Sequence, residues 1–214
     1  MCSMRKSTCA AMFLVAVNIC FAVPAFAQTP PSLEDLSFST LMLEAESGDA
    51  ETQNILGSMY SKGIGVIHDD VEAVKWFRQS AEQGNERGQF SLGEMYAEGR
   101  GVEKDDAEAL KWYLLSAEQG NAEAQSMLGN VYENGGGIEK DNVASLMWYL
   151  VAGENGRKDA KESAVRVSAA MSSNQKDEAQ GLAKAWLEKH PSNHPGSYYW
   201  ERWEDEPPPV IIRK

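Results

Sequence analysis

A thirty-six-residue period constrains this chain more than any other feature it has. "GDAETQNILG" begins at Gly48, "GNERGQFSLG" at Gly84 and "GNAEAQSMLG" at Gly120. When residues 48–83 are aligned with residues 84–119, nineteen of thirty-six positions are identical. A period of this size means that each unit is one supersecondary piece, which buries its apolar face only by stacking on the next. A fourth opening glycine, Gly156, heads "GRKDAKESAV", whose later residues diverge from the pattern.

Each unit divides into two helical stretches. In the second unit Leu92, Met95 and Tyr96 stand at i, i+3 and i+4, and Ala109, Trp112, Tyr113, Ser116 and Ala117 continue that spacing over two turns. Between them runs "EGRGVEKDD", matched by "KGIGVIHDD" and "NGGGIEKDN". Gly99 and Gly101 suit the left-handed positions that end a helix, and Gly84 closes the unit before it. Asp105 ahead of Glu108, like Asp69 ahead of Glu72, predicts a capping box at the start of the second helix. Gly57, Gly93 and Gly129 fall inside helices, where glycine is unfavourable, so they predict a close approach by a Trp112-type aromatic or by a helix backbone.

These residues resemble the Sel-one-like repeat family, relatives of the tetratricopeptide repeats. The first unit carries Ala50, Gln53, Leu56, Gly57, Tyr60, Gly63, Gly65, Val66, Asp69, Ala73, Trp76, Phe77 and Ala81. The second carries Gln89, Leu92, Gly93, Tyr96, Gly99, Gly101, Val102, Asp105, Ala109, Trp112, Tyr113 and Ala117. The third keeps Gln125, Leu128, Gly129, Tyr132, Gly135, Gly137, Ile138, Asp141, Trp148 and Tyr149, with Ser145 and Gly153 in the alanine places. The resemblance implies an all-α fold, a right-handed solenoid of antiparallel helix pairs. Three repeats are expected over residues 48–155, an N-terminal capping helix within 28–47, and a degenerate capping repeat over 156–190. Ala45 stands thirty-six residues before Ala81, so residues 33–47 read as a lone second helix. "DEAQGLAKAWLEK" reads as the closing cap.

The first twenty-seven residues read as a secretory signal peptide: a basic start, "MCSMRK", an apolar run and "AFA" before Gln28. All three cysteines, Cys2, Cys9 and Cys20, lie in that segment, and Ile19 before Cys20 argues against lipidation. An exported, periplasmic or secreted chain of 187 residues is then expected, with ordinary hydrophobic burial in place of disulfides. Eighteen basic against thirty-two acidic residues give it a formal charge of −14. That balance argues against nucleic acid or an anionic membrane surface as partner.

No catalytic set emerges. Asp69 with Asp70, Asp105 with Asp106, and Asp141 beside Asn142 recur at the repeat spacing, too far apart to close on one calcium ion, and read as helix caps. His68 stands where Lys104 and Lys140 stand in the other units. His190 and His194 have a helical metal-pair spacing, which Pro191 and Pro195 break. Gly63-Ile64-Gly65 follows a helix and lacks the third glycine of a dinucleotide fingerprint. The residues released by export contain no nucleophile elbow and no cysteine. No metal, cofactor or enzymatic activity is expected.

What remains is surface. First helices of such pairs line a concave face, where positions that vary between units are free of the stack's demands. Asn54, Phe90 and Ser126 form one such row; Ser58, Glu94 and Asn130 form another. Phe90 fits either a binding anchor or a residue covered by the adjoining helix. In the tail, Tyr198, Tyr199, Trp200, Trp203 and Pro207 to Pro209 either fold back on the last helix or offer a linear segment for recognition. The expected function is protein or peptide binding, in keeping with the adaptor roles that the resemblance implies. An envelope hydrolase or penicillin-binding activity, described for cysteine-rich relatives, and a purely structural spacer are the alternatives.

Overall fold

The computed structural model describes residues 33–191, with side chains from residue 38 onward. The signal-peptide stretch, His194 and the aromatic tail lie outside the described residues. Those described form nine helices and no strand: α1 (Leu33–Glu46), α2 (Ala50–Lys62), α3 (Asp70–Glu82), α4 (Glu86–Glu98), α5 (Asp106–Glu118), α6 (Ala122–Asn134), α7 (Asn142–Glu154), α8 (Lys158–Ser168) and α9 (Ser173–Lys189). From α1 to α8 each packs chiefly on its neighbours in sequence, α2 also meets α4, and α9 passes over α8 to pack on α7. This is a solenoid of helix pairs, and α1 takes the place of a second helix ahead of the first repeat.

Capping sets the length of every helix in the repeats. Asp69, Asp105 and Asp141 each accept two backbone N–H groups of the helix they precede, so those carboxylates are occupied as caps. The reciprocal half of a capping box is absent there: Glu72 and Glu108 turn outward to Lys75 and Lys111 three residues on. A full capping box forms instead at α9, between Ser172 and Gln175. The first helices end at a left-handed residue such as Gly99, φ +69°, a conformation that costs glycine nothing.

Two features hold the units in register. Gln89, buried, donates to the Ala81 carbonyl of the previous unit at 3.3 Å and accepts from Gln119 Nε2 at 2.7 Å. Gln53 and Gln125 repeat the pattern on Ala45 and Ala117 at 3.0 and 3.1 Å, so α1 supplies the carbonyl that a preceding repeat would. The loops stack as well. A Cβ on Gly101 would collide with the Asp70 carbonyl oxygen, and Arg100 beside it donates to Asp70 Oδ1 at 2.6 Å and Ser61 Oγ at 2.8 Å.

The helical glycines do mark a close approach, made by a different residue from the one expected. A Cβ on Gly93 would meet the Tyr113 ring at 2.7 Å, and Gly57 and Gly129 meet Phe77 and Tyr149 in the same way. The aromatic one place beyond Trp112 is the one that turns inward, because that position faces its own unit's first helix. At the far end α9 lays Trp186 edge-on against Trp148, ring centroids 5.6 Å apart, and buries Ala179 and Ala183. His190 stacks on Trp186 at 4.3 Å and ends the helix.

Candidate functional site: a groove across the first helices

Residues of α4, α6 and α8 line one open groove of about 430 Å³. Phe90 and Glu94 come from α4; Glu123, Ser126, Met127 and Asn130 from α6; Arg157, Asp159, Ser163 and Arg166 from the start and body of α8. Tyr149 of α7 forms part of the wall between them. A smaller hollow of about 170 Å³ adjoins it, with Ser58, Ser61, Lys62, Ser91 and Arg100 among its lining residues, and Glu94 borders both.

The ring of Phe90 leans on Tyr113 at 5.8 Å between centroids and remains half-buried, with its other face on the groove. Phe90 is therefore packed against α5 and also lines the groove. Arg157 spans α6 and α8, reaching Glu123 at 2.9 Å and Asp159 at 2.8 Å. Arg166 makes a two-pronged contact with Glu133, which also accepts the Tyr149 hydroxyl at 3.0 Å. Burial raises the Tyr149 phenol above its ordinary range, with Glu133 adding to the effect.

Glu94 differs from these. It is half-buried and makes no hydrogen bond or ion pair among the described residues. Burial, followed by the neighbouring carboxylates of Glu98 and Glu123, raises its carboxyl above the usual range, and the more weakly felt Arg100 and Lys62 pull the other way. Two serines, Ser126 and Ser163, line the groove, and its lining residues include no histidine or lysine. Among the described residues no group of three metal-ligating side chains exists, and no helix is long and apolar enough to cross a membrane.

Of the six residues singled out from sequence, Phe90, Glu94, Ser126 and Asn130 share the groove, and Ser58 lines the adjoining hollow. Asn54 joins neither. It is 8% exposed, and its Oδ1 accepts from Ser91 Oγ at 3.5 Å. The arginines are what the sequence reading missed. Arg166 continues the row of Ser58, Glu94 and Asn130 by one more period, and Arg157 stands where Asn85 and Asn121 cap the earlier units. Extending the row into the divergent fourth unit finds both.

A helical repeat array with a groove across its first helices defines a class, the interaction solenoids. A family model described as Sel1 repeat matches residues 50–85, 87–121 and 122–156. The chain is 41% identical to a Sel1 repeat protein from Oxalobacter formigenes, covering 60% of this chain and 96% of that one, with a TM-score of 0.54. It is 30% identical to c5321, a protective antigen of uropathogenic Escherichia coli displaying an SLR fold, over 83% of this chain, with a TM-score of 0.70. The chain spans 37% of that protein's length. No curated protein matches by sequence. The chain belongs to the Sel1 repeat family, whose members typically act as protein–protein interaction scaffolds.

Proposed function

We propose that this protein is an exported, non-enzymatic scaffold that holds a segment of another protein in the groove formed by α4, α6 and α8. One observation carries the reading: an open hollow of about 430 Å³ presents an aromatic face, Phe90, beside hydrogen-bonding and charged side chains from three successive units. A site of that shape offers a chain segment contacts spread along the stack, with a large anchor at one end and polar groups at the other. The groove arginines and most of its carboxylates already neutralise one another, so they are set for recognition rather than for proton transfer.

Export rests on the charged, apolar and small-residue pattern of residues 1–27. Its test is the N-terminal sequence of protein recovered from the envelope or medium, which begins at Gln28 if the segment is a cleaved signal. Binding is tested by affinity capture of envelope and secreted proteins with the unaltered chain beside a Phe90→Ala, Glu94→Lys version. Capture of a partner by the unaltered chain alone supports the groove. Equal capture by both, or capture of nothing, counts against it.

A further inference from the structure

The groove's charges are unevenly satisfied, and that asymmetry identifies what it accepts. Glu123 and Asp159 share Arg157, and Glu133 is held by Arg166. Glu98 lies 3.5 Å from Arg100, whose shorter bonds go to Asp70 and Ser61. Glu94 alone of these carboxylates is half-buried and has no donor, although it sits on the boundary of both hollows. In the two neighbouring units its place is held by neutral Ser58 and Asn130, so the charge is not something the stack requires.

We propose that Glu94 is the receptor for a lysine or arginine side chain of the bound protein segment, with Phe90 and Met127 flanking the aliphatic stem. This rests on the groove reading above and goes further by fixing the chemistry of one bound residue. A partly desolvated carboxylate without a donor is held in an unfavourable state, which an incoming cation relieves while gaining a charge-assisted hydrogen bond. The aromatic ring beside it suits a cationic side chain on both counts, as an apolar surface for the methylenes and as a π-face for the charge. A metal ion is a poorer occupant, since one carboxylate supplies two oxygens where calcium takes six to eight. The excess of 32 acidic over 20 basic residues draws a basic partner toward the surface.

The test uses three pools of immobilised random nonapeptides with a fixed central residue: lysine or arginine in the first, norleucine in the second, glutamate in the third. The unaltered protein is expected to bind the cationic pool about ten- to a hundredfold better than the norleucine pool, the range for one charged hydrogen bond. Glu94→Gln brings that ratio close to one, and Glu103→Gln, an exposed loop residue outside the groove, leaves it unchanged. Glu94→Lys shifts preference to the glutamate pool, a gain that a misfolded variant cannot produce. Binding without cationic preference, or a preference that survives Glu94→Gln, overturns the assignment while leaving the groove as a binding site. Failure to bind any pool overturns both.

Discussion

Gly93 and Gln89 lie one turn apart on α4, and each fixes a different joint of the array. The glycine lets the Tyr113 ring close against its own unit; the glutamine ties that unit to the one before. Gly93→Ala gains about 1 kcal/mol of helix propensity but drives a methyl to 2.7 Å from the ring. Such overpacking costs about 1–3 kcal/mol, so a net loss of stability is expected, and the loss on adding Gly93→Ala is smaller in a Tyr113→Leu background than in the unaltered chain. Urea titration of these variants measures it, and an unchanged or higher midpoint for Gly93→Ala alone contradicts the close-approach account. Gln89→Leu strands the buried Ala81 carbonyl at a cost of about 1–3 kcal/mol, while the exposed Gln119 amide turns to water, with denaturant midpoint again the readout. The spacing made both residues visible. It could not say which aromatic met the glycine, because Trp112 and Tyr113 are adjacent in sequence and only the helix rotation decides which turns inward.

At the scale of elements, the two ends of the stack are closed by different means. α1 covers Leu56 and Trp76 with Ala45, Phe38, Leu41 and Met42, and gives Gln53 its acceptor. A chain beginning at Gly48 exposes that face at a cost of about 3–6 kcal/mol, which corresponds to a melting temperature roughly 10 °C lower or more. An unaltered melting temperature would mean that α1 is not a cap. At the other end, burial pushes the Glu154 carboxyl, on the last turn of α7, up to about 7, opposed by Lys161. The folded state therefore binds more protons than the unfolded chain between its ordinary 4.5 and about 7. Stability falls as pH rises through that window and is not regained above it. Thermal melts at pH 5 and pH 8 should show that fall, reduced in Glu154→Gln; an identical slope in the variant contradicts the assignment. The repeats and the first helix were legible because their spacing is copied through the chain. The start of α9 was not, since Ser172 and Gln175 cap it outside the period and the apolar pattern begins only further on.

Across the whole molecule, three units built on one pattern, followed by a divergent fourth, create a surface that no single unit has. Identical positions build the stack, and the differing ones bring Phe90, Glu94, Ser126 and Asn130 together. Comparing units within the chain picked out four of the residues that line the groove. Asn54 misled because variation between units marks freedom from the repeat's own packing, not exposure, and Ser91 of the next unit covers it. Arg157 and Arg166 escaped because the fourth unit no longer matches in its apolar places, although its groove positions keep the period. The central claim is that the groove, and no other face, holds a partner. A photo-crosslinking amino acid at Asn130, in the groove, compared with one at Lys111, exposed on α5, tests it most directly in the presence of envelope and secreted proteins. The account predicts a discrete crosslinked protein from position 130, lost on Phe90→Ala, and none from position 111; crosslinking from 111 alone, or from both alike, contradicts it.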